Sequence, residues 1–354
     1  MAGALSFRAG PGAIEAIRKN GFSPEQVGTL AGASGGAKWL ILSKLDRAMQ
    51  DVIVPRLRAP VHLIGSSIGS WRFACYAQED PLAAIERFER AYLDQSYSEK
   101  PDREEITAKG REILDTILGE RGVAEILSHP IYRTHIMTCR SRHLAAAEHP
   151  AMLGAGLIAA ASINVLYRPA LGAFFERALF YDDRDIPPFY EARGFPIRQI
   201  RLDERNLADA IAATGAIPMV LEGVRDIAGA PKGMYRDGGI IDYHLDLPHS
   251  DNGRLTLYPH FIDRIIPGWF DKQIRWRKPN PANSDRTIIV SPSAEFVSRL
   301  PNRKIPDRHD FVNYEPEDRL RAWHTTVSMC DELADEFREV IETGRLGARL
   351  QPLW

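Results

Sequence analysis

The sequence predicts an α/β fold in which helices alternate with the strands of a mostly parallel sheet. Two short apolar, β-prone runs, 27–32 and 61–64, end at glycine and are each followed by a run with an apolar helical face. With 354 residues, of which 44% are hydrophobic and 26% charged, the chain can bury a large core. No internal repeat or low-complexity linker interrupts it. We therefore expect a single domain over residues 1–354.

The spacing of apolar residues predicts the remaining helices and strands along the chain. Apolar residues at helical spacing predict helices, whereas alternation and β-branched content predict strands. The predicted helices are 11–20, 39–45, 67–77, 103–128 and 316–344, and the further predicted strands are 132–139 and 286–290.

A serine lies between a predicted strand and a predicted helix in the run Gly65-Ser66-Ser67-Ile68-Gly69. Such a turn is strained and lifts the serine hydroxyl above the edge of the sheet. Gly65 and Gly69 are small because the neighbouring backbones pass too close for side chains. The helix N-terminus also places positive partial charge where an alkoxide would develop. Ser67 is therefore a candidate nucleophile; the plainer alternative is an ordinary turn with a capping serine.

The same pattern occurs earlier, in Gly32-Ala33-Ser34-Gly35-Gly36, which makes Ser34 a second candidate. This turn differs from a phosphate-binding P-loop, because Lys38 is displaced by one position and Trp39 stands where that loop needs a hydroxyl. Nucleotide binding is therefore rejected.

The adjacent glycines of this first turn point to a different use. Gly35 and Gly36 enter a helical run and present successive N–H groups, an arrangement that suits a single oxyanion. Lys38 either adds positive potential to that loop or is a solvated lysine of the first helical turn.

The third element, Asp237-Gly238-Gly239, comes about 170 residues after the serine turn. Two glycines after an aspartate let the chain turn tightly while the carboxylate faces back toward a cleft. Taken alone, the run is a common Asp-Gly turn. Together, the three elements supply oxyanion donors, a serine and a carboxylate base, which acyl transfer requires.

This combination resembles the patatin-like phospholipase family over about residues 25–250. The family has a glycine-rich oxyanion loop, a Gly-x-Ser-x-Gly nucleophile turn and an Asp-Gly-Gly/Ala motif. The corresponding runs here are Gly35-Gly36-Ala37-Lys38, residues 65–69 and residues 237–239. Residues 207–218 are similar to the family's helix that ends in Ala-Ile-Pro.

The resemblance implies a three-layer α/β/α sandwich with a central mostly parallel sheet and helical insertions. It implies that Ser67, rather than Ser34, is the nucleophile and that Asp237 is the base of a Ser-Asp dyad. The expected activity is hydrolysis of ester bonds in lipids or related acyl esters, of the phospholipase A, lysophospholipase or esterase type, without a metal or cofactor. The oxyanion donors would be Gly35, Gly36 and Ala37, and the supporting residues Lys38, Gly65, Gly69, Gly238 and Gly239.

The chain departs from the family at two places. Ser34 and Trp39 stand where the family's loop has glycine, and Trp39 is expected to reshape the acyl pocket or the approach to it. Residues 240–248 differ from the Asn and Pro that often follow the family's aspartate.

Two other kinds of protein fit the same motifs. One is a Ser-His-Asp triad esterase, in which a later histidine completes the site; the candidates are His260, His309 and His324. The other is a catalytically idle lipid-binding protein that keeps the fold.

Two apolar segments, near 151–180 and 258–276, are predicted as inserts. The run 151–161 is too short for the ~20 residues of a transmembrane helix. A buried core helix is the favoured interpretation, and a cap that faces an acyl chain or a lipid surface is the functional alternative. The second insert combines Trp269 and Trp276 with several cations, which suggests transient contact with a membrane surface; a solvated charged face is the commoner alternative.

Composition restricts the partners and the compartment. A formal net charge of −2 gives no reason to expect a nucleic acid partner. Three widely spaced cysteines imply neither a disulfide framework nor a metal site. The N-terminal residues lack the apolar core of a signal peptide. We therefore expect a cytoplasmic enzyme whose partner is its acyl-ester or lipid substrate; the sequence leaves the oligomeric state open.

Overall fold

The computed structural model describes residues 3–250 and 253–354, so that the first two residues of the predicted 1–354 domain lie outside it. The strands are β1 Leu5–Ala9, β2 Val27–Gly32, β3 Val61–Ser66, β4 Tyr132–Ser141, β5 Phe175–Tyr181, β6 Ile197–Arg201, β7 Val224–Arg225, β8 Met234–Arg236, β9 Leu255–Pro259, β10 Thr287–Pro292 and β11 Leu350–Pro352. The α-helices are α1 Pro11–Asn20, α2 Ser43–Val52, α3 Ile68–Tyr76, α4 Pro81–Leu93, α5 Arg103–Leu118, α6 Gly122–Ser128, α7 Pro150–Leu166, α8 Leu207–Thr214, α9 Ala294–Arg299, α10 Asp310–Asn313, α11 Pro316–Met329, α12 Asp331–Glu342 and α13 Leu346–Arg349.

The strands form one mixed, mostly parallel sheet in the order β11-β1-β10-β9-β2-β3-β4-β5-β6, with β8 beside β4 and β7 beside β8. Every residue of β2, β3, β9 and β10 is buried, so both faces of the sheet are covered by other elements. The fold is a three-layer α/β/α sandwich, as the sequence predicts. Its core lies between the parallel central strands and the helices packed on them.

The parallel pairing of β2 and β3 brings the two glycine–serine turns to one edge of the sheet. Gly32 at the end of β2 is paired with Gly65 near the end of β3. The chain therefore leaves both strands at the same level. The first turn and the Ser67 turn become neighbours although they are separated in sequence.

Strand β4 determines where the aspartate arrives. On one edge, β4 pairs in parallel with β3 as far as Ser66, which lies opposite Met137. Two residues farther along the same edge, β4 pairs antiparallel with β8, where Cys139 lies opposite Arg236. Strands β3 and β8 thus run toward each other along one neighbour. Their ends meet there, and Asp237 arrives beside Ser67.

Several predicted elements agree with the structure and others are divided. Helix 11–20 and strand 27–32 have the predicted bounds. The predicted helix 39–45 consists of a 3-10 helix, Gly36–Leu42, followed by α2. The predicted helix 103–128 is two helices, because the chain turns at Gly119, whose φ is +53°.

The two predicted inserts overlap the central sheet at their ends. Segment 151–180 contains α7 and a 3-10 helix and then enters β5, whereas segment 258–276 begins inside β9. The prediction that α7 is a buried core helix is wrong for its outer face, where Ile158 is 70% and Leu166 85% exposed. In the described part of the chain, no helix is both long and apolar enough to span a membrane.

Candidate active site

Ser67 occupies a strained backbone position between β3 and α3. Its φ of 53° and ψ of −129° lie outside the conformations that non-glycine residues commonly adopt. The Ser67 N–H donates to Thr214 Oγ1 at 2.8 Å, and Thr214 Oγ1 donates to the Met137 carbonyl at 2.5 Å. The strained turn is therefore anchored to both α8 and β4.

The glycines on either side of Ser67 allow the close approach of α3 to both β3 and β2. A Cβ atom at Gly65 would lie 2.4 Å from the Ser70 nitrogen, and one at Gly69 would lie 1.9 Å from the Gly32 carbonyl oxygen. Side chains at these positions would push the helix away from the sheet. The two glycines thus hold Ser67 beside the first turn.

The Ser67 hydroxyl contacts the Asp237 carboxylate directly. Ser67 Oγ donates to Asp237 Oδ2 at 2.8 Å, and the Gly239 N–H donates to Asp237 Oδ1 at 2.7 Å. Both carboxylate oxygens therefore have a partner, which fixes the orientation of the carboxylate. Ser67 and Asp237 are only 4% and 8% exposed.

The two glycines after Asp237 are also required by packing. A Cβ atom at Gly238 would lie 2.1 Å from the Met137 carbonyl oxygen, and one at Gly239 would lie 2.5 Å from Ser34 Oγ. The Asp-Gly-Gly turn is thus wedged between β4 and the first turn. A plain surface turn would not need glycine at both positions.

Burial changes the acidity of Asp237. Removal of water raises its pKa to about 6, although the hydrogen bonds from Ser67 and Gly239 and the positive charges of Lys272 and Arg308 oppose the rise. A carboxylate with this pKa is largely ionised at neutral pH and is a stronger base than an exposed aspartate. This suits proton transfer from a serine hydroxyl.

The first turn presents backbone to the same cavity. Gly35 and Gly36 line it together with Ser67, and Gly36 has a φ of +56° with open space where a side chain would be. Ala37, the third predicted oxyanion donor, is buried and is not part of the lining. Lys38 is half-buried and lines the cavity, which favours the interpretation that it adds positive potential there.

Ser34, the competing candidate nucleophile, lines the cavity but hydrogen-bonds a different kind of group. Ser34 Oγ donates to Ser66 Oγ at 3.0 Å. A serine hydroxyl is a poor proton acceptor compared with a carboxylate. The geometry thus favours Ser67 over Ser34.

The cavity has a volume of about 600 Å³, and Ser67 and Asp237 are among the polar residues that line it. Its apolar wall is formed by Leu157, Ile158, Ala161, Ile217, Pro218, Ile240, Trp269 and Phe270. Part of that wall is α7. The two predicted inserts are joined at Asp271, which accepts from Asn164 Nδ2 at 2.8 Å and from Arg168 Nε at 2.9 Å.

Trp39 does not reshape the cavity, contrary to expectation. Its ring is 1% exposed and is stacked on Phe88 with the centroids 4.0 Å apart. The side chain fills the contact between the first turn and α4. The bulk of Trp39 therefore contributes to packing in the helical layer and not to the cavity.

The three candidate histidines occupy different environments. His260 is fully buried, accepts from the Ile262 N–H at 2.9 Å, and has a pKa that burial lowers to about 3. His324 is exposed on α11. Of the three, His309 is the one that lines the cavity, at its exposed rim.

Sequence reasoning missed three residues of this site. Thr214 was seen only as part of the run before Ala-Ile-Pro, and Lys272 only as one cation of an apolar insert. Arg308, which lines the cavity with Lys272, lies outside every motif. Nothing in the local sequence around Arg308 points to the site.

Comparisons with known proteins find similarity among solved structures. No protein-family model matches the chain, and no curated protein matches it. The crystal structure of VipD from Legionella pneumophila is similar over 73% of this chain, with 13% identity and a TM-score of 0.33. Human GIVD cytosolic phospholipase A2 is similar over 94%, with 10% identity and a TM-score of 0.34. The matches cover 53% and 62% of those two chains. Because both TM-scores are below 0.5, function must be inferred from the site itself.

Proposed function

We propose that this protein is a patatin-like serine acyl hydrolase that cleaves ester bonds of lipids or related acyl esters with a Ser67–Asp237 dyad. The observation that carries the proposal is the 2.8 Å hydrogen bond from Ser67 Oγ to a carboxylate whose pKa is raised to about 6. Both residues line a cavity whose lining also includes an apolar wall.

In the proposed mechanism, Ser67 Oγ attacks the ester carbonyl carbon while its proton moves to Asp237. The N–H groups of Gly35 and Gly36 stabilise the oxyanion, and Asp237 returns the proton to the departing alcohol. Water then attacks the acyl-serine and gives its proton to Asp237. Collapse of the second tetrahedral intermediate releases the carboxylic acid and returns the proton to Ser67.

A direct dyad fits this geometry better than a Ser-His-Asp triad. In a triad, a histidine lies between the serine and the aspartate. Here Ser67 Oγ contacts Asp237 without an intervening group, and the other carboxylate oxygen accepts from Gly239. His309, at the cavity rim, would have to displace the existing hydrogen bond.

The apolar wall supports an acyl chain as part of the substrate. Leu157, Ile158 and Phe270 line the cavity that holds Ser67. Each buried CH₂ group contributes about 0.8 kcal/mol, provided that the chain is held in the transition state. We therefore propose that kcat/KM rises from acetyl to octanoyl esters; a steady fall over this series would indicate a small-ester hydrolase.

We also propose that the cavity mouth makes transient contact with a lipid surface. Exposed apolar side chains lie on and just after α7 and in the loop joined to it: Ile158, Leu166, Tyr167 and Trp276 are 70%, 85%, 64% and 70% exposed. Arg275 and Lys278 are exposed beside Trp276. Co-sedimentation with anionic vesicles should weaken in Leu166→Ser and Trp276→Ser; unchanged binding would exclude this surface.

The three cysteines agree with the proposed cytoplasmic location. Cys75, Cys139 and Cys330 are free and buried. Buried free thiols are typical of proteins from reducing compartments.

Labelling with a fluorophosphonate tests the proposed activity, because this reagent phosphonylates activated serine hydroxyls. We expect one modified peptide, containing Ser67, in the wild-type protein and in Ser34→Ala, and none in Ser67→Ala. A Ser67 that resists labelling would indicate the idle lipid-binding protein. Labelling that depends on His309 would indicate the triad esterase.

A further inference from the structure

Three cations line the cavity, and none has a carboxylate partner. Lys38, Lys272 and Arg308 all contribute to the lining, and none forms an ion pair within the described residues. Apart from Asp237, the acidic residue of the lining is Asp307, which pairs directly with Lys304 outside the lining at 3.1 Å. Its charge also acts on Lys38 and Lys272 in the direction that raises the pKa of both, but without a direct ion pair. Positive charge at the cavity thus exceeds the negative charge placed to neutralise it.

Aromatic rings hold these cations in place of carboxylates. Lys272 Nζ lies 4.0 Å from the ring centroid of Tyr243, and Lys38 Nζ lies 5.7 Å from that of Phe261. The Arg308 guanidinium lies 6.0 Å from the ring centroid of Trp269. A ring face orients a cation without cancelling its charge. The positive potential of the cavity is therefore retained.

The three cations also oppose one another. Burial and the charges of Lys38 and Arg308 together lower the pKa of Lys272 to about 8, although the charges of Asp237 and Asp307 oppose this shift and the side chain remains accessible to solvent. Burial likewise lowers the pKa of Lys38. A bound anion would relieve this repulsion, because it interacts favourably with all three cations at once.

We propose that Lys272 and Arg308, together with Lys38, bind an anionic group of the ester substrate, a phosphate or a carboxylate close to the scissile bond. The inference rests on the proposed acyl hydrolase function and narrows its substrate class to anionic amphiphiles. The acyl chain would lie on the apolar wall. The anionic group would accept charge-assisted hydrogen bonds from the lysine and arginine donors.

Three octanoyl esters that differ only in the alcohol test this inference: one alcohol carries a phosphate, one a carboxylate and one a neutral hydroxyl. We expect the wild-type kcat/KM for at least one anionic ester to exceed that for the neutral ester by about 10-fold or more. The better of the two anionic esters identifies the group. Equal values for all three would overturn the inference.

Variants of Lys272 and Arg308, the two exposed cations, test whether these residues cause the preference for anionic esters. Lys272→Met and Arg308→Met should each lower the ratio of anionic to neutral kcat/KM by about 10-fold, and Lys272→Arg should restore it. Arg264→Met and Arg303→Met are matched controls, because these cations are exposed in the same two segments but do not line the cavity. A ratio that changes equally in the controls would indicate a long-range charge effect and overturn the assignment.

Direct binding separates this inference from the proposed activity. Trp269 lines the cavity, so its fluorescence should report titration of the protein with octyl phosphate or octanoate, with octanol as the neutral comparison. Binding of an anion that weakens in Lys272→Met supports the site even if Ser67 resists fluorophosphonate. If the protein hydrolyses esters but binds octyl phosphate and octanoate no more tightly than octanol, the anion site is overturned and the hydrolase proposal stands.

Discussion

Two regions of this molecule treat charge in opposite ways. Between α2 and α3, Arg72 and Asp46 are almost completely buried and matched. Arg72 donates to both oxygens of Asp46, at 2.8 and 2.5 Å, and Tyr76 adds a third hydrogen bond at 2.8 Å. Around Ser67, by contrast, Lys272 and Arg308 line the cavity, and neither forms an ion pair with a carboxylate in residues 3–250 and 253–354.

The difference separates structural charges from charges available to a ligand. Arg72 lies on α3, the helix that begins immediately after Ser67, so its pair with Asp46 fixes that helix against α2. Removing one partner would leave the other buried and uncompensated. Lys272 and Arg308 contact aromatic rings rather than carboxylates, and Asp237 is ionised against the cost of burial. Changes there should affect activity with little loss of stability.

The largest expected effect tests the nucleophile. Ser67→Ala should lower kcat for octanoyl p-nitrophenyl ester by at least about 10⁴-fold, because in the proposed mechanism Ser67 forms the acyl intermediate. Its unfolding midpoint should be no lower than that of wild type, since the strained turn loses only one hydroxyl. Ser34→Ala should retain measurable activity. Full activity in Ser67→Ala would show that Ser67 is not the nucleophile.

The next largest effect is expected for Asp237→Asn, and the same substitution at Asp242 is its comparison. Asp237→Asn should lower kcat by about 10²–10⁴-fold, because the amide cannot accept the proton. Its thermal midpoint should stay the same or rise, since a carboxylate disfavoured by burial is removed. Asp242→Asn should instead lower the midpoint, because Arg177 donates to both of its oxygens, at 2.7 and 2.8 Å. The distinction between a catalytic and a structural aspartate would be contradicted if calorimetry showed that Asp237→Asn lowers the midpoint and kinetics showed that Asp242→Asn, rather than Asp237→Asn, lowers kcat.

A third substitution measures the structural pair. Arg72→Met should lower the free energy of unfolding by about 3–5 kcal/mol, because it leaves Asp46 buried without its cation. The double variant Arg72→Met, Asp46→Leu should recover part of this loss, since neither charge then remains. Urea denaturation gives both values. Lys272→Met is the matched control at the cavity. A comparable loss of unfolding free energy in this variant would show that the cavity cation stabilises the fold as much as Arg72 does.

The smallest expected effect is a pH dependence that belongs to the cavity. In the proposed mechanism Asp237 acts as a base only when ionised, and burial raises its pKa to about 6. Below this pH, kcat/KM should fall about 10-fold per unit, as for a single protonation. Ionised Asp237 opposes folding above pH 6, and this cost decreases as the pH falls toward the ordinary value of 3.8. A rate profile that is flat from pH 7 to 5 would exclude Asp237 as the base.

Much of the site could be predicted because its signals are local. The turn at Ser67 needs glycines on both sides, a strand before it and a helix after it, and all of these lie within a short stretch of sequence. The bounds of β2 and α1 were predictable for the same reason: residues near in sequence decide the periodicity and the ends of such elements. The sequence alone thus determined the strand–turn–helix units and the candidate residues in them.

Only the tertiary structure decided which of these residues meet. Asp237 reaches Ser67 because β3 and β8 end against the same strand, a register that no local pattern specifies. Arg308 joins the cavity from a segment without any motif. Helix α7 is apolar on all sides, so its periodicity could not show that one face lies at the surface. Long-range pairing and burial depend on the whole packed chain, and these contacts determined the composition of the cavity.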